Sequence, residues 1–104
     1  MGKRIIMVTG SPRRHGNTCT ITEWVAEGAR EAGAEVTVVD AARLQYKTNG
    51  CTACMGCQES KEYRCIVKDG VSDILASIPE YDVLLLATPV YFFSFSAQIK
   101  PFID

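Results

Sequence analysis

Apolar positions along the chain change period several times, and each change marks an element. Residues 3–9 form a short apolar run rich in β-branched side chains (Ile5, Ile6, Val8, Thr9), the pattern of a buried strand. Residues 10–16 hold Ser, Pro and Gly and predict a loop. Asn17 or Thr18 can cap a helix running to about Ala32, with Ile21, Val25, Gly28, Ala29 and Ala32 on its apolar face. Gly33 stands where a C-terminal cap glycine belongs. Residues 35–40, with Val36, Val38 and Val39, predict a second strand. Residues 41–68 keep no sustained period. Asp69 or Ser72 can start a short helix that ends before Pro79. Residues 82–87 contain Val83-Leu84-Leu85-Leu86-Ala87, apolar on both faces as a central parallel strand would be. Residues 88–96 predict a loop, and residues 97–104 begin another helix.

This order, β-α-β, irregular stretch, α-β-α, implies a parallel sheet with right-handed crossovers. Doubly wound domains usually carry five strands in about 100–150 residues or more. With three predicted strands, the chain is expected to be the N-terminal part of one such domain, truncated after the third strand and the start of the next helix. Residues 1–104 then form one domain with a cysteine-rich insert at about residues 48–68.

Composition narrows the picture. The 104 residues are 47% hydrophobic and 22% charged, as expected for a soluble globular protein. A formal net charge of −1 gives no general attraction to nucleic acid or to an anionic membrane. No apolar run approaches the roughly 20 residues of a transmembrane helix. Met1-Gly2-Lys3-Arg4 leads straight into the first strand without a signal-peptide pattern, so the expected location is cytoplasmic. Five cysteines, an odd number, then argue for metal binding or redox work rather than disulfides.

The first candidate site is the loop Gly10-Ser11-Pro12-Arg13-Arg14-His15-Gly16-Asn17-Thr18 between strand and helix. A phosphate there meets free backbone N–H groups and the positive end of the helix dipole. Ser11, Asn17 and Thr18 can add hydrogen bonds, Arg13 a charge-assisted one, and Gly10 and Gly16 let the backbone turn closely. The Gly-Lys-Ser/Thr ending of a Walker A loop is absent, and so is G-x-G-x-x-G, which favours a monophosphate over a dinucleotide. Composition alone leaves ordinary helix capping as an equal reading. Arg14 and His15 read as solvated loop residues.

Gly-Ser-Pro-Arg…Gly-Asn-Thr after a first strand resembles the FMN-phosphate loop of the NADPH-dependent FMN reductase superfamily. Thr88-Pro89-Val90-Tyr91-Phe92, followed by residues 96–104, resembles that superfamily's loop beside the isoalloxazine ring. The resemblance implies a flavodoxin-like fold in which the first and third strands are neighbours at the point where ligands bind. It implies FMN phosphate on Ser11, Arg13, Gly16, Asn17 and Thr18, and the flavin ring against Pro89, Val90, Tyr91 and Phe92. Phe93 and Phe95 are expected in core or subunit-interface packing, and Trp24 partly buried on the first helix.

Cys51-x2-Cys54-x2-Cys57-x7-Cys65 is the sharpest chemical signal. Four thiolates on one loop, the first three evenly spaced, suit a cubane cluster in which each reaches a different iron. Ferredoxin spacing differs, because its last gap is three residues with a proline after it; here the gap is seven and Ile66 follows. A four-thiolate zinc site, thiol–disulfide chemistry, and unliganded structural cysteines remain open on spacing alone. The motif is similar to that of the iron–sulfur flavoproteins within the same superfamily, which implies a [4Fe–4S] cluster on Cys51, Cys54, Cys57 and Cys65. Cys19, set apart, reads as a small core residue, and Lys61, Glu62 and Arg64 as a solvated face of the loop.

The resemblance therefore implies a flavin-dependent oxidoreductase or electron carrier with no catalytic side chain, the flavin carrying the chemistry. Its partners would be NAD(P)H or a redox protein such as a ferredoxin. The other readings are a non-catalytic, zinc-stabilised assembly fragment and a cluster-free NAD(P)H:FMN or quinone reductase. An unpaired edge on the third strand predicts a homo-oligomer that covers it or the aromatic loop.

Overall fold

Ile6, Met7 and Val8 are almost wholly removed from solvent, and that burial places their strand at the centre of the sheet. The computed structural model describes residues 2–13, 15–61 and 64–104. Strand β1 (Arg4–Thr9) pairs in parallel with β2 (Glu35–Asp40) on one side and β3 (Val83–Ala87) on the other, giving the order β2-β1-β3. The register puts Ile6 opposite Thr37 and Leu84, and Val8 opposite Val39 and Leu86. The expected α/β class and neighbouring first and third strands are what the chain forms, and this order is the start of the flavodoxin-like arrangement.

Alternation along the strands sends Ile6 and Val8 to one face and Met7 to the other. On the first face they join Val39, Ala41, Val71, Ile99 and Phe102 in one core cluster. That cluster fixes α3 (Gly70–Ser77) and the short α4 (Lys100–Ile103) against this face. A 3₁₀ turn, Ala41–Arg43, and a single helical turn, α2 (Gly56–Glu59), precede α3 in the chain, and a second 3₁₀ turn, Ile78–Glu80, follows it.

Helix α1 (Asn17–Glu31) covers the opposite face, but it is rolled from its expected orientation. Thr22 and Ala26 are its buried residues, while Ile21 is 55% exposed, Val25 also lies at the surface, and Gly28 faces open space. Small side chains let the helix approach the sheet closely, and Thr22 carries its hydroxyl inward because that group donates to the Thr18 carbonyl at 2.8 Å. Trp24, expected to be partly buried, is 66% exposed for the same reason. The helix ends as expected: Gly33 is left-handed (φ 93), with N–H groups of Gly33 and Ala34 on the carbonyls of Arg30 and Ala29.

Strand β3 looks central in sequence yet lies at the edge of this three-stranded sheet, because β1 is its one partner among the described residues. Val83, Leu84 and Leu86 are each 44–45% exposed as a result. Among the described residues no helix is long and apolar enough to cross a membrane.

Candidate functional site

The loops that follow β1 and β3 meet beyond the C-terminal ends of their strands. Gly10 donates its N–H to the Ala87 carbonyl at 2.8 Å, and its own carbonyl accepts the Ser96 hydroxyl. Ser96 in turn donates its N–H to Thr88 Oγ1 at 2.9 Å. A Cβ on residue 10 would lie 2.5 Å from Ile99 Cβ, so the loops can touch only with glycine there. Ser96 and Thr88, both outside the expected set of site residues, are therefore the groups that join the two loops.

Within the first loop Ser11 is buried, and its Oγ accepts the Arg13 N–H at 3.1 Å. Arg13 is exposed and packs its Cβ against Gly16, where an added Cβ would be 3.2 Å away. Helix α1 begins with Gly16 in an extended conformation as N-cap, not with Asn17 or Thr18 as expected. No described side chain caps the turn and no acidic residue lies in it, so its N–H groups and dipole stay available to an anion. Asn17 is exposed and Thr18 half-buried at this end; His15 is exposed, and Arg14 lies outside the described residues.

Two residues brace this loop from outside it. Arg43, held by the Asp40 carboxylate, donates to the Pro12 carbonyl at 3.1 Å. Its sequence signal was the Asp-x-x-Arg spacing directly after β2. Cys19, expected in the core, is half-buried and donates its thiol to the Arg13 carbonyl at 3.4 Å. Burial, then the Asp40 charge, pushes this thiol's pKa up, against the opposing pull of Arg43.

The second loop carries an aromatic knuckle. Tyr91 and Ser94 exchange backbone hydrogen bonds of 2.9 and 3.1 Å around Phe92 and Phe93, which are both left-handed (φ 47 and 64). Two consecutive positive φ angles are the pattern of a type I′ hairpin, usually Asn-Gly, so two phenylalanines there store strain. Their rings meet edge to face at 5.6 Å, and each residue is 94% exposed. Phe93 is thus not in the core of this chain, and Phe95 is also exposed; the turn turns both outward. Pro89 is half-buried, with Val90 and Tyr91 exposed beside it.

The cysteine loop forms a third region. Cys51, Cys54, Cys57 and Cys65 are exposed free thiols that line one cavity of about 330 Å³, together with Arg64, Asp69 and Leu75 among others. Ala53 and Met55 are left-handed (φ 57 and 65), and the chain curls so that backbone N–H groups reach sulfur. Ala53 donates to Cys51 Sγ at 3.4 Å and Gly56 to Cys54 Sγ at 3.5 Å. Hydrogen bonds of this kind stabilise anionic sulfur and tune a bound cluster. Among the described residues no group of three or more His, Cys, Asp or Glu side chains is drawn together closely enough to hold a metal ion. The donor set is four accessible thiols around one cavity, two of them with a backbone N–H bond to sulfur.

The loop is tied down at its ends. Asp69 accepts N–H groups from Lys47 at 3.0 Å and Ser72 at 2.8 Å, the latter closing a capping box at the start of α3. Burial alone would raise the Asp69 pKa, but these amide bonds, the Ser72 hydroxyl and the Lys47 charge together hold it below the usual value. Arg64 is not solvated as expected: it pairs with Asp73 at 2.8 Å and reaches Ser72 Oγ at 3.3 Å. Lys61 is exposed, while Glu62 lies outside the described residues.

Residues 3–104 match the family described as NADPH-dependent FMN reductase. The chain belongs to the NADPH-dependent FMN reductase family. Both converging loops and the cysteine loop fall inside the stretch that this family covers. The chain is similar to an iron–sulfur flavoprotein of Methanocaldococcus jannaschii, 35% identical over 101 residues that cover 97% of this chain and 50% of the relative. It is also similar to iron–sulfur flavoproteins of Archaeoglobus fulgidus (32% identical; 97% of this chain, 44% of the relative) and Methanosarcina thermophila (29%; 97% and 51%). The chain thus spans about half the length of these relatives.

Proposed function

We propose that the protein binds FMN across the two converging loops and acts as a flavin-dependent oxidoreductase of the iron–sulfur flavoprotein type. The carrying observation is the junction of Gly10 with Ala87 and Ser96, which puts an uncapped helix end and an aromatic loop beside one another. Phosphate would bind the first N–H groups of α1, with Ser11, Asn17 and Thr18 as hydrogen-bond donors and Arg13 as the cation. Pro89, Val90, Tyr91 and Phe92 would pack on the ring and exclude water from one side of it. Cys51, Cys54, Cys57 and Cys65 would hold a [4Fe–4S] cluster. When bound, FMN supplies one- and two-electron redox chemistry and the cluster supplies one-electron transfer. Electron donors of the NAD(P)H or ferredoxin class suit this pairing. Free cysteines throughout suit a reducing cytoplasm.

A second copy of the chain would cover the open edge of β3 or the aromatic knuckle, since an apolar edge with unpaired backbone groups favours association. Sedimentation as a single monomeric species would overturn this assembly. For the cofactors, the test is the absorption spectrum of protein purified without oxygen. The expected result is a two-banded flavin spectrum on broad iron–sulfur absorption. Flavin alone would leave a cluster-free reductase, and a colourless protein would overturn the reading.

A further inference from the structure

The four cysteines come from two separate stretches, 51–57 and 65, so their shared cavity depends on whatever docks the second stretch onto the first. Ile66 directly follows Cys65, and Gly56 lies between Cys54 and Cys57. A Cβ on residue 56 would fall 2.3 Å from Ile66 Cδ1, 2.7 Å from Cγ1 and 3.2 Å from Cγ2. The isoleucine side chain therefore occupies the space that any side chain at position 56 would need. Glycine at 56 has no conformational reason to be there: its φ is not positive, and it sits in the helical turn α2, where glycine is a poor choice. Nor is Ile66 a core residue, being 52% exposed. What remains is close approach, and it joins the two cysteine stretches. On the other side of Cys65, Arg64 is tied to α3 through Asp73 and Ser72.

We propose that Gly56 is a positioning residue: lacking a side chain, it leaves the room that Ile66 occupies and so lets the stretch bearing Cys65 lie beside the other three cysteines. The proposal rests on the cluster reading above for its purpose, but its geometry can be tested without metal. In metal-free protein, a short bis-maleimide should link Cys65 to the peptide bearing Cys51–Cys57, read by mass spectrometry after digestion. Gly56→Ala should cut that linkage about tenfold, and the pair Gly56→Ala/Ile66→Ala, which removes the overlapping atoms, should restore most of it. After anaerobic loading with ferrous iron and sulfide, iron per chain should follow the same order: high in wild type, low in G56A, recovered in the double variant. Far-ultraviolet circular dichroism reports that each variant is folded, and alanine favours the helical turn, so the G56A loss cannot come from helix propensity. Equal linkage and equal iron in wild type and G56A would overturn the proposal. So would failure of the double variant to recover when Ile66→Ala alone behaves as wild type. Wild type that takes up no iron while the linkage series behaves as expected would remove the cluster reading and leave the positioning role of Gly56 standing.

Discussion

In the loop after β1, Ser11 is buried, Gly10 is bonded through its N–H and carbonyl to two neighbouring segments, and Gly16 stays in the extended region that any residue adopts. In the cysteine loop all four clustered thiols are exposed, and Ala53 and Met55 occupy the left-handed region. The first loop is shaped by the sheet it leaves, so an anion meets donors already in place. The second is held by side-chain ties at its ends (Asp69, Arg64, Ile66) and stores strain between its cysteines, of the order of 1–3 kcal/mol per such residue. Preorganisation therefore belongs to the fold in one case and to a few long-range contacts in the other.

The comparison breaks most sharply at Gly10. Gly10→Val places branched carbon against Ile99 and Ser96, and overpacking at so close an approach should cost about 3 kcal/mol, measured by urea unfolding, with FMN binding lost. If G10V unfolds as wild type does, the first loop is not shaped by the sheet. At the base of the cysteine loop, Asp69→Ala removes a helix cap and the Lys47 tether, and should cost about 2 kcal/mol. Because the folded Asp69 pKa lies below its ordinary value of 3.8, its ionic contribution is complete above that pH and is lost as pH falls through the lower folded value. Stability curves of wild type and Asp69→Asn should accordingly converge in acid and separate near neutrality; parallel curves would contradict the assignment.

Ser11→Ala tests binding separately from folding. It should weaken FMN about tenfold, equivalent to about 1.4 kcal/mol, in a fluorescence titration, with the unfolding midpoint moved far less than by G10V. The smallest effect should have the opposite sign. Phe93→Gly relieves a left-handed phenylalanine at an exposed turn and should stabilise the chain by about 1 kcal/mol. Destabilisation by F93G would mean that the knuckle is held by contacts, as a buried interface would hold it.

Much of the fold was legible in the sequence because its signals are local. The β-branched run at residues 5–9, Gly33 after the first helix, and Asp69 three residues before Ser72 each act through neighbours in the chain, and each appears where expected. The cysteine spacing and the Gly-Ser-Pro and Thr-Pro loops likewise pointed to regions that lie on two adjacent strands and around one cavity. The roll of α1 was not legible. Ile21 and Val25 have the right period, but the face that packs is chosen by how closely the helix can approach the sheet, and Thr22 and Ala26 are smaller.

By itself, then, the sequence determined the element order, the parallel α/β class and the chemistry available at each loop, since hydrogen-bonding ends, side-chain period and ligand type are properties of consecutive residues. Tertiary structure alone decided that Gly10 meets Ile99, that Arg43 braces Pro12, and that Ile66 lies on Gly56. Those contacts join residues separated by 89, 31 and 10 positions, and only the packed sheet and its loops bring such pairs within van der Waals reach.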